Sequence, residues 1–143
     1  MTIDKLKKQE IPEILELYKE LSEYENKIAT SEEVFDMMDS DKNYYLLVAK
    51  ENDKIIGTVL GIVCYSIPLV GTPFMVVEDV VVKEEFRQKG VGKMLFEEID
   101  KIAKMNNCGY TILVSGEKRE IAHKFYEKQG YADKVKGFRK KYI

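Results

Sequence analysis

The sequence is poor in the residues that build metal centres and disulfide frameworks. Its 143 residues include one histidine, His123, and two cysteines, Cys64 and Cys108. No set of ligands at zinc-site spacing exists, so no metal is expected. Cys64 sits in a strand-like run and Cys108 in a turn. They are compatible with one disulfide or with two thiols, and two thiols in a reducing cytoplasm is the reading we favour. No apolar run approaches the roughly 20 residues that span a bilayer. The opening "MTIDKLKKQE" has no secretory h-region. A cytoplasmic protein without a membrane partner is therefore expected. Internal repeats, low-complexity tracts and Pro/Gly/Ser linkers are missing too, so residues 1–143 read as one domain.

What is present is the composition of a globular domain with a real core: 45% hydrophobic and 34% charged residues. The net charge of −2 conceals an asymmetry. Residues 1–82 carry 8 Lys/Arg against 16 Asp/Glu, a charge of −8. Residues 83–143 carry 15 against 9, a charge of +6. A basic half suits an anionic partner, either a nucleic acid or a phosphate-bearing small molecule. No RNP-like aromatic motif or zinc-finger spacing accompanies it, so nucleic acid is not expected.

Along the chain, "MTIDKLK" can open a strand. In "IPEILELYKELSEYE", Ile11, Ile14, Leu15, Tyr18 and Leu21 recur at helical spacing, with Pro12 in the first turn. Ser31 is placed as the N-cap of a short helix in "TSEEVFDMMDS". "NYYLLVAKENDKIIGTVLGIVCYSI" reads as two strands joined at Glu51-Asn52-Asp53, and "FMVVEDVVV" as a third. From Val91 the period becomes helical, with Val91, Leu95, Ile99, Ile102 and Ala103 on one face up to a stop at "NNCG". "YTILV" is a short strand. "EKREIAHKFYEKQG" is a helix with Ile121, Ala122 and Phe125 inward and Gly130 as its cap. "YADKVKGFRKKYI" is expected to close the chain as one or two strands. The order predicts a mixed α/β domain with a largely antiparallel first half.

The informative stretch is "VEDVVVKEEFRQKGVGKML", Val77 to Leu95. A strand-to-helix turn gathers backbone N–H groups that have no partner inside the helix, and the helix dipole makes that end positive. Phosphate binds readily there. Gly90 and Gly92 would let the backbone approach an anion, and Arg87 and Lys89 would add countercharge. The spacing is neither G-x-x-x-x-G-K-[ST] nor G-x-G-x-x-G, so neither an NTPase nor a dinucleotide fold is indicated.

"RQKGVG", Arg87 to Gly92, resembles the [RQ]-x-x-G-x-[GA] signature of the Gcn5-related N-acetyltransferases, the GNAT superfamily. Downstream, "AHKFYEKQGY", Ala122 to Tyr131, resembles the family's second signature, A-x-x-[FL]-Y-E-[KR]-x-G-[FY]. The two are separated by a helix and a strand, as in the family, and the likeness covers essentially the whole chain. It implies an α/β (α+β) acyltransferase fold with a mixed central sheet of six to seven strands and about four helices. It also implies acetyl-CoA as cosubstrate, no metal, and transfer to an amine by direct attack. The pyrophosphate would rest on Arg87, Gln88, Lys89, Gly90, Val91 and Gly92, with Lys93 nearby. The pantetheine arm would pair with the backbone of Val80, Val81 and Val82, and the Val80 N–H would face the acetyl carbonyl. Arg119 replaces an asparagine common in the family and is expected to reach a phosphate. His123 is expected on the cofactor side of its helix.

Tyr126 matches the family tyrosine that protonates the departing thiolate, and a phenol of pKa about 10 is suited to that role. Glu78 is the candidate base. Strand alternation would put it on one face with Val80 and Val82, and Asp79 on the other as a structural residue. The resemblance implies an acceptor site around Tyr24, Asn26, Phe35 and the "YSIPLVGTP" loop, and a small-molecule amine as partner, with a homodimer left open. The chain is also similar to glucosamine-6-phosphate N-acetyltransferases, but "VSGEKREIAHKFY" is longer than their segment and lacks its acids, so that substrate is not assigned. The alternatives are a protein or peptide N-acetyltransferase and a non-catalytic acetyl-CoA-binding domain. The presence of Tyr126 and Glu78 argues against the last.

Overall fold

The structure, a computed structural model, describes residues 1–143. One five-stranded sheet runs in the order β1 (Thr2–Lys5), β2 (Tyr44–Glu51), β3 (Lys54–Cys64), β4 (Phe74–Val82) and β5 (Thr111–Ile112). The first three pairings are antiparallel and β4 pairs β5 in parallel. Helices α1 (Ile11–Tyr18) and α2 (Ile28–Asp39) cover one face; α3 (Val91–Met105) and α4 (Glu120–Lys128) cover the other.

Each face has its own core. Leu95, Phe96 and Ile99 of α3 lie against Val59, Met75 and Val77 of the sheet, all nearly free of solvent contact. On the opposite face Ile11, Ile14 and Leu17 of α1 and Phe35 of α2 pack on Val48, Ile55 and Val81. Burial on this scale is the main stabilising term, at about 25 cal/mol per Å² of apolar surface. The β2–β3 hairpin turns at Asn52 and Asp53, both left-handed, as a two-residue turn matched to strand twist requires.

Four expectations change. The sheet has five strands rather than six or seven, because residues after Tyr131 form no strand. β5 offers only two paired residues as an edge, and the cationic run Lys134, Lys136, Arg139, Lys140 and Lys141 repels itself. Val135, Phe138 and Tyr142 stay exposed. Helix α2 starts at Ile28, so Ser31 lies inside it and caps nothing. In α4 the inward residues are Ala122, Phe125 and Tyr126, while Ile121 is turned to solvent. The strand at "YTILV" is likewise shorter than its apolar run.

Candidate active site

The loop before α3 carries an unusual concentration of free backbone donors. None of the six amides from Gln88 to Lys93 donates a hydrogen bond; the series resumes with the Met94 N–H to the Gly90 carbonyl. Gln88 and Gly90 are left-handed, at φ 61° and 85°. Alternation of left- and right-handed residues curls consecutive N–H groups towards one side, which makes an anion-binding concavity. Gly90 is required by its backbone conformation. Gly92 is required for another reason: a Cβ there would come within 2.9 Å of the Phe125 ring. It lets α3 and α4 close on each other, so the two glycines do different jobs.

Arg87 is not available as a free countercharge. Its Nε donates to the Val82 carbonyl and its Nη2 to Glu20 Oε2, both at 2.9 Å. Glu20, just beyond α1, also accepts the Glu84 N–H at 3.0 Å. Arg87 therefore moors the loop to β4 and to α1. Lys89 lies over the Phe86 ring, and Lys93 pairs only loosely with Glu97 at 3.6 Å.

Strand β4 has an open edge. Only Met75 and Val76 pair with β5, so from Val77 to Val82 no strand covers that side. The other side, against β3, contains a bulge. Thr58 faces Val81 and Leu60 faces Glu78, leaving Asp79 and Val80 together opposite Val59. Asp79 is left-handed, at φ 53°. One extra residue reverses the alternation beyond it. Val77, Val80 and Val82 face α3, whereas Val81 faces α1 and α2. Glu78, paired with Leu60, and Asp79 share that second face. The expected geometry is corrected accordingly: Glu78 is not on the face of Val80 and Val82, and Asp79 is beside it rather than opposite. The two consecutive acids between runs of valine were the available signal.

On this second face lies a cavity of about 410 Å³ between α1, α2 and the sheet. Ile14 and Tyr18, Phe35 and Met38, and Leu60 and Asp79 contribute to its walls, which are mainly hydrocarbon. Of the three residues named for an acceptor site, Asn26 and Phe35 line this cavity; Tyr24 is exposed and does not. The "YSIPLVGTP" loop, of which Ile67 and Val70 are almost fully exposed, does not line it either. Glu78 and Asp79 keep solvent contact, but the surrounding protein weakens their hydration. This burial holds both carboxyls above their ordinary range, and for Glu78 the charge of Asp79 adds to the effect. Neither has a cationic partner. The Tyr18 phenol is raised strongly, first by burial and then by Asp79, against the opposing effect of a hydrogen bond with Thr58.

Tyr126 of α4 is 8% exposed and sits among Phe96, Phe125 and Tyr131 at ring-centroid distances of 5.6 to 6.3 Å. Burial raises its phenol, and the nearby positive charge of Arg119 opposes that. A phenol so placed stays protonated at neutral pH. Arg119 precedes α4 directly, and His123 Nε2 lies 2.8 Å from the Gly116 carbonyl, which fixes it to the preceding loop. Just beyond β5, the buried Ser115 hydroxyl has no protein partner. An extended ligand rich in amides and ending in phosphates fits these features: an unpaired strand edge, an orphaned hydroxyl and a nest of six amides.

The sequence profile of the Acetyltransferase (GNAT) family matches residues 11–131. The uncharacterized N-acetyltransferase YhdJ of Bacillus subtilis (strain 168) is 31% identical over 103 residues, 69% of this chain and 69% of that protein. Among solved structures, one from Agrobacterium tumefaciens str. C58, assigned as an acetyltransferase, superposes with a TM-score of 0.92 at 26% identity, over 99% of both chains. The glucosamine-6-phosphate N-acetyltransferase of Arabidopsis thaliana superposes with a TM-score of 0.89 at 24% identity, over 99% of this chain and 98% of that one. At that identity the second likeness speaks for the fold alone.

Proposed function

This chain belongs to the GNAT family of acetyltransferases, and from that premise we propose that it moves the acetyl group of acetyl-CoA to the primary amine of a small molecule. The observation that carries the reading is the run of six unpaired amides at residues 88–93, adjoining the open edge of β4.

Residues 88–93 hold the pyrophosphate, with Lys89 and Lys93 as the nearby cations and Arg87 holding the loop in shape. The β4 edge from Val80 to Val82 receives the pantetheine amides. Bound acetyl-CoA supplies an acetyl thioester, whose C–S bond breaks as the C–N bond to the amine forms. The Val80 N–H stabilises the negative charge that develops on the carbonyl oxygen. Glu78, on the acceptor face, takes the proton the amine must lose. Its raised pKa makes it a better base than an ordinary surface carboxylate. Tyr126 approaches from the α4 side and donates its proton to the departing sulfur. Arg119 and His123 flank the cofactor side of α4.

The test is a transfer assay over a panel of amines with free-thiol readout, run on the wild type and on Tyr126→Phe. The Tyr126 hydroxyl has no hydrogen bond to lose, so the variant keeps its melting temperature and acetyl-CoA affinity. Turnover falls by about 10²- to 10⁴-fold, the usual worth of a positioned proton donor. Undiminished turnover on an amine that the wild type acetylates refutes the role of Tyr126.

A further inference from the structure

The acid pair on β4 carries two carboxylates that no cation of the protein balances. Glu78 and Asp79 are adjacent, face the same way and have no cation beside them. Both side chains are exposed to solvent and so are accessible to a cationic ligand. Asp79 lines the cavity directly, and most of the other lining is hydrocarbon. The polar lining is Asp79 with Glu25, Asn26, Lys27, Thr30 and Ser31; Lys27 is its single cation, so the two acids leave the lining net negative. An anionic acceptor would meet two like charges. A polyhydroxylated one would find polar partners only at residues 25–31 and Asp79, and would leave its remaining hydroxyls against Ile14, Phe35 and Leu60. At about 410 Å³ the cavity lies at the small end of the 300–1,000 Å³ range of small-molecule sites, which suits a one- or two-ring amine rather than an oligosaccharide.

We propose that this cavity takes a primary amine carried on an apolar body, an arylalkyl- or alkylamine, and that Asp79 receives its ammonium group. The proposal rests on the acetyl-transfer reading for its consequence, but binding can be tested without turnover. Asp79, an exposed residue of the cavity lining, holds the charged amine, with the neighbouring Glu78 placed to take a proton as the amine becomes nucleophilic. The apolar walls between α1 and α2 hold the body.

Calorimetric titration of the wild-type protein, with and without CoA, is the experiment. The ligands are 2-phenylethylamine, its neutral counterpart 2-phenylethanol, the series butylamine to hexylamine, glucosamine 6-phosphate and kanamycin. 2-Phenylethylamine should bind about 10- to 100-fold tighter than 2-phenylethanol, the worth of a hydrogen bond to a charged group. Affinity should rise up to about fourfold per added CH₂ in the alkyl series. Asp79→Asn should erase the preference for amine over alcohol while leaving CoA affinity unchanged. Asparagine tolerates the left-handed backbone at this position, so the bulge survives the exchange. A merely structural Asp79 would leave that preference intact. Equal binding of amine and alcohol by the wild type, tighter binding of the two polar amines, or an unchanged preference in Asp79→Asn overturns the proposal. Tight binding of apolar amines without acetyl transfer supports the site and counts against the enzyme. Transfer to polar amines alone does the reverse.

Discussion

Deleting Asp79 separates the two demands placed on β4. Asp79 and Val80 together oppose Val59, so removing one residue restores one-for-one pairing from Gly57–Val82 to Leu60–Glu78. The faces do not change. Val77 and Val80 still look towards α3, with Glu78 and Val81 towards α1 and α2, and both cores keep their side chains. The shortened strand gains about 1 kcal/mol by losing a left-handed non-glycine residue and about 0.5–1.5 kcal/mol from a restored ladder bond. At roughly 2–4 °C per kcal/mol for a chain of this size, the melting temperature rises by about 3–10 °C. The straightened strand no longer presents the Val80 amide as before, so acetyl-CoA binding weakens by about tenfold, the equivalent of one good hydrogen bond. Scanning calorimetry and titration with acetyl-CoA measure both effects on one sample. A lower melting temperature together with undiminished affinity refutes the idea that the bulge is strain maintained for the cofactor.

Two further outcomes follow from the charges. Glu20→Ala removes the partner of Arg87 and of the Glu84 N–H; stability falls by no more than about 1 kcal/mol because the pair is half-exposed, while the acetyl-CoA KM rises severalfold as the loop loosens. A fall in KM would mean that Arg87, once released, serves the phosphates better than the mooring does. The second outcome concerns pH. Glu78 and Asp79 have folded pKa values above their unfolded ones, so their ionisation weakens the native state as pH rises through the folded values. The double variant Glu78→Gln/Asp79→Asn should therefore melt higher than the wild type at pH 8. That advantage should shrink as pH falls and vanish below the unfolded carboxylate range near 4. An advantage that persists at pH 3 would point to packing rather than charge.

The architecture was legible wherever the residue pattern was long and periodic. The bounds of β4 and the buried stripe of α3 follow directly from Phe74–Val82 and from Val91, Leu95, Ile99 and Ile102. Both signatures fall where a strand-to-helix turn and an aromatic cluster need them. What escaped was register. Strict alternation placed Glu78 with Val80, because nothing in a strand's composition states that one residue is extra. The pair of acids hinted at it, and the pairing with β3 decided it. The commitment of Arg87 to Glu20 spans 67 positions in sequence, beyond any local pattern. The closing segment misled for the converse reason. Its alternating residues are strand-like, but a strand forms only where an edge receives it, and β5 ends at Ile112.

The two cores on either side of the sheet have an evolutionary consequence. The amide nest and Tyr126 belong to the layer of α3 and α4; the cavity belongs to the layer of α1 and α2. On the proposed function, substitutions among the cavity residues of α1 and α2 reshape the acceptor site while the amide nest and Tyr126 stay in place. The two inventories meet at strand β4 and at the Glu20–Arg87 pair. On that reading the chain can drift between acceptors largely through its first helices, with Glu20, gripping Arg87 from just beyond α1, as the residue least free to follow.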